Sequence, residues 1–193
     1  MRQSTAEPSR TSNSKLLGKG RHLALVESGG CEWVERTISK GVVIMVAITD
    51  EDELILIEQF RGAVGRRVIE LPAGLVGDLP GTENEDFAVA GGRELIEETG
   101  YRAGKLERLI EAPSSAGTSN EIFNIYSATQ LEKIGLGGGG EGEDLTVHLV
   151  PLSSLMGWLE EQRRAGAYID IAIFAGLLLA GASSGLGSSD FGR

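Results

Sequence analysis

RELIEETGY, residues 93–101, decides how this chain is read. Residues three and four apart on a helix share a face, so Glu94, Glu97 and Glu98 project together while Leu95 and Ile96 can turn to a core. Gly100 supplies the residue without a Cβ that helix ends favour, and the spacing predicts a helix from roughly Glu85 to Thr99. Two unit charges about 4 Å apart repel by about 4 kcal/mol at an effective dielectric near 20. On an open surface water absorbs that repulsion. In a pocket the cluster needs a cation, and oxygen-only ligands select a hard one such as Mg²⁺ or Mn²⁺. From this stretch alone, a solvated acidic turn and a cation-binding face are both open.

The rest of the composition narrows the choice. A chain of 193 residues suits one domain with a sizeable core. The formal net charge of -10, with 28 acidic residues and no basic stripe, disfavours nucleic acid or an anionic membrane as a partner. An anionic substrate would then be held through metal. Cys31 is the only cysteine, so no intrachain disulfide forms and a reducing cytoplasm is expected. His148 sits in the alternating run LTVHLV and reads as a strand residue rather than a zinc ligand.

The polar start, residues 1–15, is expected to be a disordered tail, residues 16–182 the domain, and residues 183–193 a flexible tail. IDIAIFAGLLLAG is too short to span a bilayer, which takes about 20 residues. It reads as a core helix with Asp170 as its N-cap.

Between these limits, HLALVES, CEWVERTI, GVVIMVAI and ELILIEQF read as strands, separated by the turn signals GG at 29–30 and TDEDE at 49–53. Strands return around KLERLIEA, EIFNIYSA and LTVHLVPL. A helix with Leu152, Leu155 and Leu159 on one stripe then precedes the apolar one. This order predicts an α/β (α+β) domain, a mixed β-sheet sandwiched between helices. GLGGGG, residues 135–140, matches the dinucleotide pattern in letters only, because the acids of EGEDLTV that follow would repel a pyrophosphate. A mobile glycine loop delivering carboxylates is the expectation instead.

Reading outward from the acidic helix, LPAG at 71–74, Glu85 eight positions before Arg93, and RELIEETGY together resemble the Nudix box. Ten residues separate Gly74 from Glu85, longer than the family spacing, so GDLPG or its neighbours form an insertion. Gly91 and Gly92 each cost about 1 kcal/mol against alanine inside a helix, which close packing would explain. The resemblance implies a Nudix fold with Glu94 and Glu98 as main metal ligands, Glu97 as a further ligand or a ligand's neighbour, and the Ala73 carbonyl as a backbone ligand. It also implies that Arg93 pairs with Glu85 to pin the helix to its loop.

The flanking segments EWVERT, EQFR, IELPAG, APSSAGTSNE and EGEDLTVHLV are similar to those of ADP-ribose and nucleoside diphosphate sugar pyrophosphatases within that superfamily. The resemblance then implies a homodimer built through an N-terminal antiparallel sheet, in which Trp33 and Arg36 grip the base at the partner subunit's site while Arg61 contacts diphosphate or ribose. Pro113 resembles a proline beyond the box. The catalytic base is expected at Glu141 or Glu143, with Glu97 the next candidate. The implied reaction is Mg²⁺-dependent (Mn²⁺ possible) hydrolysis of a nucleotide-sugar diphosphate. Another Nudix specificity, such as GDP-mannose or a dinucleoside polyphosphate, and a non-catalytic ADP-ribose sensor are the alternatives.

Overall fold

The computed structural model describes residues 14–140 and 144–181. Three antiparallel strands come first, β1 (Lys15–Lys19), β2 (Leu23–Ser28) and β3 (Cys31–Arg36), in the order β1-β2-β3. β1 thus begins at Lys15, the last residue assigned to the tail on sequence grounds. After them come β4 (Gly41–Ala47), β5 (Glu53–Arg61), β6 (Arg66–Glu70), β7 (Ala73–Val76), α1 (Phe87–Thr99), β8 (Tyr101–Pro113), β9 (Ile122–Lys133) and β10 (Leu145–Pro151). The described chain closes with α2 (Leu155–Arg164), β11 (Tyr168–Ile169) and α3 (Ala172–Leu179).

The core is organised by β4. All seven of its residues are buried, because helices cover both faces of its sheet. Val42, Ile44 and Val46 pack with Leu155 and Leu159 of α2 and with Ile173 and Leu177 of α3. Val43, Met45 and Ala47 pack with Ala90 and Leu95 of α1. The strands form two four-stranded mixed sheets, β7-β4-β9-β8 and β10-β5-β6-β11. Within them only the β4–β9 and β6–β11 pairings are parallel. The expected mixed sheet between helices is what the chain adopts. β6, β7 and β11 were not separated in the sequence, since each is short.

Close packing accounts for Gly91 but not for Gly92. A Cβ on Gly91 would lie 2.7 Å from the Met45 sulfur, whereas one on Gly92 would meet only Leu106 at an ordinary 3.7 Å. On the opposite face, a Cβ on Gly176 of α3 would lie 2.7 Å from Val46, so a helix glycine lets each layer close on β4. Leu155 and Leu159 are buried as the stripe predicts, while Leu152 falls in a preceding 3₁₀ turn. The N-cap of α3 is Ile171 rather than the expected Asp170, but the Asp170 carboxylate one residue earlier accepts the Ala172 N–H at 2.8 Å and so still serves the first turn.

The N-terminal sheet leans on the loop between β8 and β9. The Val34 N–H donates to the Thr118 carbonyl at 2.9 Å, and the Asn120 amide donates to Glu35 at 3.1 Å. Its outer residues Leu16, Leu17, Leu23 and Leu25 remain exposed. No helix among the described residues is long and apolar enough to cross a membrane.

Candidate active site

α1 starts two residues later than the sequence suggested, with Asp86 as N-cap accepting the Ala88 N–H at 2.8 Å. It ends at Gly100, whose φ of 73° is left-handed as expected of a C-cap glycine. The segment LPAG is brought against the acidic face. Glu98 is buried, and its Oε2 accepts the Ala73 N–H at 3.0 Å. A Cβ on Gly74 would fall 2.1 Å from the Glu94 carboxyl carbon, so with glycine there the Glu94 side chain lies directly against the LPAG backbone. Gly74 is therefore the glycine that packs on the acidic helix, and the ten residues between it and Glu85 accommodate the insertion, GDLPG or its neighbours.

Arg93 ties this unit together. It donates to Glu94 at 2.8 Å and to both oxygens of Glu85 at 3.3 and 3.4 Å, which is the pairing the resemblance implied. The insertion adds Asp78, whose Oδ1 lies 4.0 Å from the Arg93 guanidinium. Asp78 carries no sequence signal, because only the folding of the insertion brings it to Arg93. Burial pushes the Glu94 carboxyl up to about 6; the Arg93 charge opposes the shift, while Glu97 and Asp78 add to it.

The donor set suits a hard cation, with carboxylate oxygens on one face of a helix and one of them buried against its charge. The cage is not closed, however. Among the described residues no three His, Cys, Asp or Glu side chains are gathered closely enough to hold a metal ion by themselves. Glu94 is engaged by Arg93, Glu98 by the Ala73 N–H, and Glu97 is exposed. A cation at this face would compete with Arg93 for Glu94.

Arg61 forms a two-oxygen ion pair with buried Glu70, at 3.0 and 2.9 Å from its Nε. Its ion-pair partner is therefore Glu70 rather than Glu58. Burial raises the Glu70 carboxyl above its usual range, and Arg61 counters this. Glu58 instead joins Arg67 and His148, the latter at 3.0 Å, and Arg67 also holds Asp144. His148 is thus a strand residue with a carboxylate partner, as its alternating context predicts.

Trp33 and Arg36 both line a cavity of about 670 Å³ together with Glu35, Lys40, Asn120 and Glu121. The Trp33 indole N–H donates to Glu35 at 2.9 Å, and Arg36 is ion-paired with Glu121. Pro113 ends β8 opposite Ile122, a residue of the same cavity wall.

The glycine run differs from expectation over the part that is described. Rather than standing free, Gly138 and Gly139 donate their N–H groups to the carbonyls of Glu98 and Glu97, at 2.7 and 3.1 Å. Glu141 and Glu143, the candidate bases, lie outside the described residues.

The NUDIX domain family model matches residues 39–169. The chain is 34% identical over 125 residues to the methanol dehydrogenase activator of Bacillus methanolicus, covering 64% of each chain, so less than two thirds of that relative is spanned. It is 31% identical over 177 residues to an ADP-ribose pyrophosphatase of Mycobacterium tuberculosis, covering 87% of this chain and 81% of the relative. A solved structure of an ADP compounds hydrolase superposes with a TM-score of 0.67 at 25% identity, over 91% of this chain and 94% of that one.

Proposed function

This chain belongs to the Nudix family, and from that premise we propose that it hydrolyses the diphosphate of ADP-ribose or a related nucleoside diphosphate sugar. The products are a nucleoside monophosphate and a sugar phosphate. The observation that carries the reading is the fit between α1 and the LPAG segment: Glu94 fills the space of a missing Cβ at Gly74, and Glu98 holds the Ala73 N–H. A merely solvated acidic helix has no need of either. The kinship with an ADP-ribose pyrophosphatase over most of both chains supports the substrate class.

In this reading Glu94, Glu97 and Glu98, with the Ala73 carbonyl, hold Mg²⁺, with Mn²⁺ as a substitute. Bound there, the ion would neutralise diphosphate charge and acidify a water. Arg93, fixed by Glu85 and Asp78, keeps the helix and its loop in register and shares its charge with Glu94 until the cation arrives. Arg61 keeps one guanidinium edge on Glu70 and, being half-exposed, has the other free for a phosphate or ribose oxygen. Trp33 offers an indole face to the base, and Arg36 one polar edge, within the cavity beside β3. Glu141 takes the proton from the attacking water, with Glu143 the second candidate. The chain acts as a homodimer associated through its N-terminal sheet.

A panel of nucleoside diphosphate sugars with Mg²⁺, read as phosphate released after phosphatase coupling, tests the proposal. ADP-ribose is expected to lead. Preference for GDP-mannose or a dinucleoside polyphosphate moves the specificity elsewhere in the family. Tight ADP-ribose binding without turnover makes the chain a sensor.

A further inference from the structure

A helix end leaves its last carbonyls without internal partners, and at α1 those carbonyls belong to the acidic turn itself. The last turn has no basic residue, so the negative pole of the helix adds to Glu97 and Glu98. Every one of these carbonyls is nevertheless satisfied. Gly100 donates to Ile96 at 2.8 Å, Gly139 to Glu97 at 3.1 Å, Gly138 to Glu98 at 2.7 Å, and the Lys133 ammonium to Thr99 at 2.8 Å. Ile134 and Gly135 both donate to the Gly100 carbonyl, at 2.9 and 3.1 Å.

The contact is backbone on backbone. A Cβ on Gly137, whose φ is 70°, would lie 2.4 Å from the Thr99 carbonyl carbon, and one on Gly100 would lie 2.3 Å from the Gly135 oxygen. Glu98 is thereby held twice, by its side chain on Ala73 and by its main chain on Gly138.

We propose that the glycines 137–139 form a latch that sets the position of the acidic turn, with Gly137 and Gly138 as positioning residues, so that cation affinity at Glu94, Glu97 and Glu98 depends on it. This rests on the cation-binding reading above. The physical reason is that ligand oxygens must be held to a few tenths of an ångström, and the helix alone leaves its final turn free to fray. Two backbone bonds from adjacent glycines, Gly138 and Gly139, fix that turn without occupying the face where the cation sits.

The test is titration with Mn²⁺ alone, followed by calorimetry, on the wild-type chain and two variants. Gly137→Ala forces a Cβ into the Thr99 backbone and is expected to weaken Mn²⁺ binding about tenfold or more, as outer partners of metal ligands do. Gly135→Ala has only a 3.9 Å contact with the Gly100 Cα to accommodate and is expected to bind like wild type. Amide exchange on the wild-type chain supplies a second arm that does not depend on Gly137→Ala folding. The Gly138 and Gly139 amides are expected to be protected, and more so with Mg²⁺. A folded Gly137→Ala with wild-type Mn²⁺ affinity, or Gly138 and Gly139 amides exchanging at open-chain rates in Mg²⁺, overturns the latch. A wild-type chain that takes up no Mn²⁺ instead overturns the cation reading on which it rests.

Discussion

β4 and β1 are both short strands carrying aliphatic residues, yet every residue of β4 is buried and every residue of β1 is exposed. β4 lies in mid-sheet, and α1 on one face and α2 and α3 on the other reach it through a glycine on each side. β1 is an edge strand whose neighbours leave Leu16, Leu17, Leu23 and Leu25 in contact with solvent. The family match, residues 39–169, begins after the N-terminal sheet ends. The difference teaches that the core is complete within one chain, whereas the N-terminal sheet displays apolar surface, the surface through which the proposed homodimer would associate. Core stability and association should therefore be separable by mutation.

The largest expected effect lies in the core half of that contrast. Glu98→Gln keeps the shape but removes a charge that a cation needs, and turnover should fall on the order of 10⁴-fold, about 5 kcal/mol of barrier. Its circular dichroism and its mass by light scattering should stay unchanged. Retained activity, or full wild-type activity in excess chelator, would end the metal reading.

Next is Glu141→Gln, expected to lose about 10²–10⁴ in kcat with KM and metal affinity nearly unchanged. Glu143→Gln should lose less. If both variants and the double variant keep their kcat, the base is elsewhere, with Glu97 next in line.

The other half of the contrast is tested by Leu23→Asp with Leu25→Asp, two exposed positions on one face of β2. Charges there should cost association about 2–4 kcal/mol and halve the mass seen by light scattering, while the melting of the core barely moves. A pair of substitutions that leaves a dimer intact would place the interface on another surface. A wild-type monomer that hydrolyses substrate would sink the shared site.

The smallest effect is a pH dependence inside the core. Glu94 has its carboxyl raised from 4.5 to about 6, chiefly by burial, so the folded state binds the proton more tightly than the unfolded chain does. That stabilisation is fully present below about 4.5 and is lost as pH rises through 6, amounting to about 1–2 kcal/mol in the metal-free protein. Cation binding needs the charged form and should tighten over the same window. Melting curves of wild type and Glu94→Gln between pH 4 and 7 check the sign, since the variant should lack this slope. A stability difference between the two that is flat over that range would contradict it.

How much of this was legible in the sequence depended on whether the informative residues were neighbours along the chain. Glu94, Glu97, Glu98 and Gly100 lie within one helix or at its end, so spacing alone located the acidic face and its C-terminal cap. The alternation of LTVHLV and the apolar run of GVVIMVA likewise announced strands, and the structure adds that the second is covered on both faces. Asp78, Lys133 and the Gly138 amide were invisible because they act on α1 from other elements, and nothing local marks a residue whose partner is distant. The glycine run misled for a related reason. Many glycines in succession read as freedom, whereas here several of them allow two backbones to touch. β11 has two residues and draws its order from β6 rather than from its own pattern.

The parallel pairing of β4 with β9 also dictates an order of assembly. One edge of β4 is closed by β7, where Ile44 lies beside Ala73, but the other edge waits for the segment in which Phe123 reaches Val42 and Ala128 reaches Ala47. A nascent chain that has emerged only through α1 therefore displays the most apolar strand of the protein with a row of unpaired backbone groups. Contacts this remote in sequence make for slow closure, and an open apolar edge is where newly made chains stick to one another. The strand that ends up best protected in the finished molecule is thus the one most in need of a chaperone while the molecule is being made.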